Sequence, residues 1–132
     1  MVIALDSNIL IYFFNENQEF VDAARRLVLL IQEGQVRGIG SVLVLGEIMR
    51  KGSDELYRAL VGIRNLSFVP VDSDIALRAA ALQRGHPALH FVDALHLATA
   101  ELHGATEFWT NDQALVKVTI PGLKIKTLRQ QI

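Results

Sequence analysis

Short apolar runs alternate with longer stretches of helical spacing from one end of this 132-residue chain to the other, and that alternation limits the folds open to it. Val2–Leu5 is an apolar run that ends in a polar turn, which suits a buried strand. Ile9–Phe14 reads as a first turn or two of helix. From Glu16 to Gln32, Phe20, Ala24, Leu27, Val28 and Ile31 recur at helical spacing, with Arg25, Arg26 and Glu33 outside the stripe, and Gly34 suits the residue just past the helix end. Val36–Ile39 is a second short run, and Ser41 is a candidate cap for a helix over Val42–Lys51. Ser53 opens another helix to about Asn65, with Asp54 and Glu55 at its positive end. A strand is predicted at Phe68–Val71, and a helix capped by Ser73 from there to Arg84, stopped by Gly85 and Pro87. His90–His103 is the clearest helix, closed by Gly104. Glu107–Thr110, Asp112–Val116 and Lys124–Thr127 then read as strand, short helix and strand. Strands and helices in turn predict a three-layer α/β/α sandwich with a mainly parallel central sheet. No repeat, low-complexity tract or linker divides the chain, so residues 1–132 are expected to form one domain.

Composition narrows the function classes. The apolar fraction of 51% provides for a sizeable core. A formal net charge of −1 carries no global basic footprint, so binding to nucleic acid would need a local patch. The absence of cysteine excludes disulfides, thiolate metal sites and cysteine nucleophiles, and fits a reducing compartment. The apolar N-terminus is broken by Asp6, Ser7 and Asn8 and has no basic n-region, so no signal peptide is expected. With no apolar run near the ~18–20 residues that span a bilayer, a cytoplasmic protein without a membrane partner is expected.

Four carboxylates interrupt apolar stretches where one element turns into the next. Asp6 follows Ile3-Ala4-Leu5, Glu47 stands between Gly46 and Ile48, Asp93 follows Phe91-Val92, and Asp112 follows Trp109-Thr110-Asn111. Acidic side chains are rarely buried without a partner. Four in such settings suggest one shared partner, and a divalent cation suits it because Mg²⁺ takes oxygen ligands and keeps several waters. In open parallel sheets, sites form beyond the carboxyl ends of the strands. Asp6 and Asp112 would both lie at that edge, and covering helices would aim Glu47 and Asp93 at it.

Each acid also has a bland reading. Asp6 could be an Asx-turn acceptor, Asp112 a helix cap, and Asp93 a charge favoured by the helix dipole at ~0.3–1 kcal/mol. Glu47 could face solvent. Only the joint pattern favours a site. His96 lies on the Asp93 helix face as a conceivable ligand, but no second histidine completes a zinc pattern. His86, His90 and His103 stand near turns and ends, where solvent is the ordinary environment. Phe108 and Trp109 read as strand core. Arg25, Arg26, Arg50, Lys51, Arg58 and Arg64 crowd the first half as a solvated face, or as a patch for phosphates.

The segments Val2-Ile3-Ala4-Leu5-Asp6-Ser7-Asn8-Ile9-Leu10, Ser41-Val42-Leu43-Val44-Leu45-Gly46-Glu47-Ile48, Asp93-Ala94-Leu95-His96-Leu97-Ala98-Thr99-Ala100 and Thr110-Asn111-Asp112, in this order and spacing, resemble the PIN-domain ribonucleases, and among them the small VapC-type toxins of toxin–antitoxin pairs. The resemblance spans nearly the whole chain. It implies an endoribonuclease that depends on Mg²⁺ or Mn²⁺ and acts on single-stranded or looped RNA. It places Asp6, Glu47, Asp93 and Asp112 in the acidic cluster, and Asn8 and Thr110 as polar neighbours that orient carboxylates or bound water. A homodimer and a masking antitoxin are also implied. Two residues depart from the family's pattern. His90 stands where a small capping hydroxyl is common and His96 where an apolar residue is common, and both are expected to stand clear of the acidic set. The compact turn at Gly52-Ser53 leaves the RNA target open.

On this reading Asp6, Asp93 and Asp112 hold one ion, Glu47 supports it or a second, and Arg50 and Lys51 are candidate RNA contacts. A bound metal lowers the pKa of a water and offsets phosphate charge. Two rivals are weighed. A phosphoryl-transfer α/β domain with Mg²⁺ wants a lysine near the strand ends or a second aspartate two residues after the first, where this chain has Asn8. A non-catalytic PIN-like scaffold that binds RNA or protein would be favoured by an incomplete acidic set.

Overall fold

The computed structural model describes residues 1–129. Its elements run β1 (Val2–Leu5), α1 (Ser7–Phe14), α2 (Val21–Gln32), β2 (Arg37–Ser41), α3 (Val42–Met49), α4 (Asp54–Val61), β3 (Leu66–Val69), α5 (Ser73–Gly85), α6 (Phe91–Leu102), β4 (Glu107–Trp109), α7 (Gln113–Val116) and β5 (Lys124–Lys126). The five strands form one sheet in the order β3-β2-β1-β4-β5 with every pairing parallel. The predicted alternation therefore produces the expected α/β architecture, with no antiparallel strand in the sheet among the described residues.

The strand residues explain the layering. Successive side chains on a strand point to opposite faces. Ile3 and Leu5 enter the core beneath α1–α4, together with Ala24, Leu27, Val28, Ile31, Val44 and Leu60. Ala4, between them, enters the core on the other face, with Ile75, Ala79, Leu97, Ala98, Phe108 and Leu115 from α5, α6, β4 and α7. Because both faces are covered, the central strand β1 reads as a continuous apolar run rather than an alternating one. The helical stripe read at Phe20, Ala24, Leu27, Val28 and Ile31 is buried throughout, and Phe108 and Trp109 are core, as their strand position implied.

Chain punctuation falls close to the predicted places. Gly34 and Gly104 adopt φ of +80° and +78°, the left-handed conformation glycine allows at a helix end. Ser41 Oγ accepts from Leu43 N at 3.2 Å and Ser53 Oγ from Leu56 N at 3.2 Å, as caps. One cap differs. Asp72, not Ser73, stops the orphan donors of α5, its Oδ1 accepting from Ile75 N at 2.9 Å. Both residue types suit the position, and the chain enters the helix one residue earlier than Ser73 would require.

The register then fixes where the chemistry can lie. β1 pairs with β2 on one side and β4 on the other, and the strand order reverses between β1 and β4. This reversal opens a crevice at the carboxyl ends of those two strands. Leu5 pairs with Trp109, so the next residues, Asp6 and Thr110, leave the sheet side by side.

Candidate metal centre

Asp6 ends β1 and caps α1. Its Oδ1 accepts from Ser7 N at 2.8 Å and its Oδ2 from Thr110 Oγ1 at 2.7 Å. It is 5% exposed. Thr110, fully buried, joins the crevice together: while its hydroxyl donates to Asp6, it accepts from Asp112 N at 3.1 Å and lies 3.5 Å from Asn8 Nδ2. Asn8 Oδ1 in turn accepts from Asn111 N at 3.2 Å. The two polar neighbours expected from the sequence are thus the groups that tie β1, α1 and the β4–α7 turn to one another.

Asp112 is exposed and caps α7, its Oδ1 accepting from Ala114 N at 3.0 Å. Its bland reading as a cap is correct, and each carboxylate oxygen retains a free lone pair. Asp93 lies in the first turn of α6, half-buried, with no hydrogen bond to its side chain among the described residues. A charge placed there for the helix dipole would be held ionised. Asp93 shows the reverse: burial raises its pKa above the ordinary carboxylate value, the charges of Asp6 and Asp112 raise it further, and His96 and His90 oppose them. Asp93 therefore feels the charges of Asp6 and Asp112, and its own ionisation is disfavoured.

Glu47 reaches the same place from α3. It is partly exposed, and its Oε1 lies 2.8 Å from Nε2 of His96, whose side chain is 1% exposed. An ionised carboxylate can only accept, so Nε2 carries the proton and donates it. Asp6, Glu47 and His96 can each offer one ligand atom such that all lie within 4.8 Å of one another; it is the one such group among the described residues, and neither Asp93 nor Asp112 belongs to it. The expectation that His90 and His96 stand clear of the acidic set is thereby corrected. His96 hydrogen-bonds Glu47 across the helices, and His90 is near enough to act on the Asp93 charge. The signal for His96 was present in the sequence as a lone titratable residue inside the apolar run Ala94–Ala100, where only a buried partner makes it tolerable. Its Nδ1 is buried and meets no protein group. Arg50 and Lys51 are exposed at the end of α3, three and four residues past Glu47, and form no ion pair among the described residues.

The donors fit a hard divalent cation. They are carboxylate oxygens in a crevice where at least one acid resists ionising, and the opposite charge of an ion would relieve this.

With geometry in place, comparison with known proteins identifies the class. The model of the PIN domain family matches residues 3–121, and the chain belongs to that family. Among solved structures it is similar to a chain of VapBC2 from Rickettsia felis bound to a DNA fragment from its promoter, at a TM-score of 0.74 and 17% identity, covering 96% of this chain and 98% of that one. It is also similar to a chain of a toxin–antitoxin complex from Klebsiella pneumoniae, at a TM-score of 0.69 and 26% identity, covering 98% and 99%. Comparison with curated proteins gave no match.

The Asp93 environment predicts a pH signature in metal-stripped protein. An acid whose pKa is raised on folding contributes stability below its unfolded value, 3.8, and that contribution is lost as pH rises through the folded value. Asp93→Asn removes the titration. In EDTA the variant should match wild type near pH 3.8 and become progressively the more stable of the two toward neutrality. Melting curves across pH test this, and a stability difference that is flat with pH, or favours wild type at neutrality, contradicts it.

Proposed function

We infer that the chain is a metal-dependent endoribonuclease and the toxin of a type II toxin–antitoxin pair. The observation that supports the chemistry is that Asp6, Glu47 and His96 bring ligand atoms within 4.8 Å of one another at the strand-order reversal, where Asp93 feels the charges of Asp6 and Asp112 and Thr110 and Asn8 fix the geometry. Family membership and likeness to chains from toxin–antitoxin complexes support the biological role. An antitoxin of the VapB type would mask the crevice, and a homodimer is part of the same reading. The rival scaffold without catalysis is less favoured, because no acid of the set is missing and one of them pays the electrostatic cost of proximity. The phosphoryl-transfer rival still lacks its partner, since Asn8 hydrogen-bonds the β4–α7 turn instead of supplying a second carboxylate.

On this reading Asp6, Asp93 and Asp112 hold Mg²⁺ or Mn²⁺, and Glu47 joins them. The ion supplies a bound water of lowered pKa and positive charge against the phosphate. The chain's residues do the rest. Thr110 holds the Asp6 carboxylate with one oxygen turned to the hydroxyl, and Asn8 locks the turn that carries Asp112. His96 restrains Glu47, which is otherwise a partly exposed side chain with free rotamers. Arg50 and Lys51 offer the phosphate backbone a local positive patch on a chain with no global one.

Two outcomes test this. Wild type should cut single-stranded RNA in Mg²⁺ or Mn²⁺ and not in EDTA, and Asp6→Asn should abolish cleavage with its fold intact by circular dichroism. Cleavage at the wild-type rate by Asp6→Asn would remove the acids from the chemistry. His96→Ala should weaken Mn²⁺ binding roughly 10–100-fold by calorimetry, the usual cost of losing a residue that orients a ligand. Unchanged affinity would leave the His96–Glu47 contact as packing alone.

A further inference from the structure

Beside the acidic crevice lies a cavity of about 420 Å³ whose wall is shared with it: Asp93 and Asp112 line both. Its floor is apolar, formed by Leu89, Leu115 and Val118, all buried in the core. Lys117 adds a cationic group to the lining, and His86 and His90 add ring nitrogens. Lys117 forms no ion pair among the described residues. His86 Nδ1 is engaged by the Leu82 carbonyl at 3.2 Å; a carbonyl only accepts, so Nδ1 carries the proton and Nε2 of the neutral ring is an acceptor.

Three environments therefore meet in one concavity of small-ligand size: carboxylates on one wall, an apolar floor, and the Lys117 ammonium with two imidazole rings. A bare anion would be repelled by the first, and an apolar peptide would leave Lys117 unused. A nucleotide within an RNA strand uses all three. Its own phosphate would lie at the acidic wall, where a metal reverses the sign of the field. Its base would cover the aliphatic floor, and the next phosphate would meet Lys117.

We propose that this cavity is the subsite for the nucleotide that flanks the scissile phosphate, with Leu89, Leu115 and Val118 taking the base and Lys117 the neighbouring phosphate. It rests on the nuclease reading above and adds to it where substrate selection occurs. With no phenylalanine, tyrosine or tryptophan in the lining, the base would be selected by its size and by its contacts with the imidazoles of His86 and His90.

The test uses the full chain in Mg²⁺ and reads binding and cleavage separately. Amide spectra of ¹⁵N-labelled protein are titrated with adenosine 5′-monophosphate and uridine 5′-monophosphate. Saturable shifts should appear at residues 88–90 and 114–118. Ala88 is exposed and lines the cavity, so Ala88→Phe should fill the space without disturbing the core, which the dispersion of its spectrum verifies. This variant should lose the shifts and raise the KM for RNA cleavage about tenfold or more, equivalent to about 1.4 kcal/mol of base contact. Lys117→Ala should raise KM and reduce its salt dependence. Nucleotide shifts that are absent from this region, or that persist in Ala88→Phe, overturn the proposal. So does a response to N-acetyl-argininamide alone, which would place a peptide in the cavity. If wild type binds nucleotides here yet cleaves no RNA in either metal, the nuclease reading fails by itself and the two failures are told apart.

Discussion

One hydrogen bond, from Thr110 Oγ1 to Asp6 Oδ2 at 2.7 Å, joins the two halves of this fold where its strand order reverses. Asp6 closes the first strand and Thr110 follows the fourth, so the bond spans 104 positions of sequence. It exists because Leu5 and Trp109 are paired in parallel register. A slip of one residue would turn Ile3 and Leu5 toward the opposite core and carry Asp6 away from Thr110. The apolar side chains under both faces of the sheet therefore set the position of a polar contact at its edge. Asn8, Asn111 and the backbone of Asp112 are organised around the same hydroxyl.

The electrostatics follow from that placement. Thr110 and Ser7 donate to the buried Asp6 carboxylate, while Asp93, whose ionisation is opposed by burial and by the charges of Asp6 and Asp112, stands nearby. A protein with no use for this arrangement would place a lysine or arginine among them, and the cations near the crevice stay at its margins: Arg50 and Lys51 at the end of α3, Lys117 beyond α7. The two histidines are the nearest compensation, and His96 is committed to Glu47. Crowded acids without a resident cation suit a site built for a divalent ion, the reading argued above.

Part of this was legible in the sequence, because β1 is a single apolar run that ends at Asp6 and each acid stands in an apolar stretch. The β1 and β4 runs end at Asp6 and Thr110, so strand ends and acids could be read together. The convergence of Asp6 and Asp112 followed from parallel topology alone. The helix boundaries near Asp72 and Asn65 were less legible: aspartate and serine are equally good caps, and α4 stops at Val61, four residues short of the expected end. His96 was misplaced for a different reason. Periodicity puts its side chain on the buried face of α6 but says nothing of α3, and the partner that makes its burial tolerable lies 49 residues away. Contacts between two helices packed on one sheet depend on crossing geometry, which a local pattern does not carry. The same limit hid the cavity between the α5–α6 turn and α7.

A fold that holds these acids together for a divalent cation must bind the ion in its folded state. The most direct measurement is the thermal unfolding of wild-type protein as free Mg²⁺ or Mn²⁺ is raised from chelated to millimolar levels. Binding to the folded state alone should raise the melting temperature steadily, reaching about 2.7 kcal/mol of added stability when free metal is 100 times its dissociation constant. Unfolding curves that superimpose from EDTA to millimolar metal, for both ions, would contradict the claim and leave the four acids as caps and surface charges.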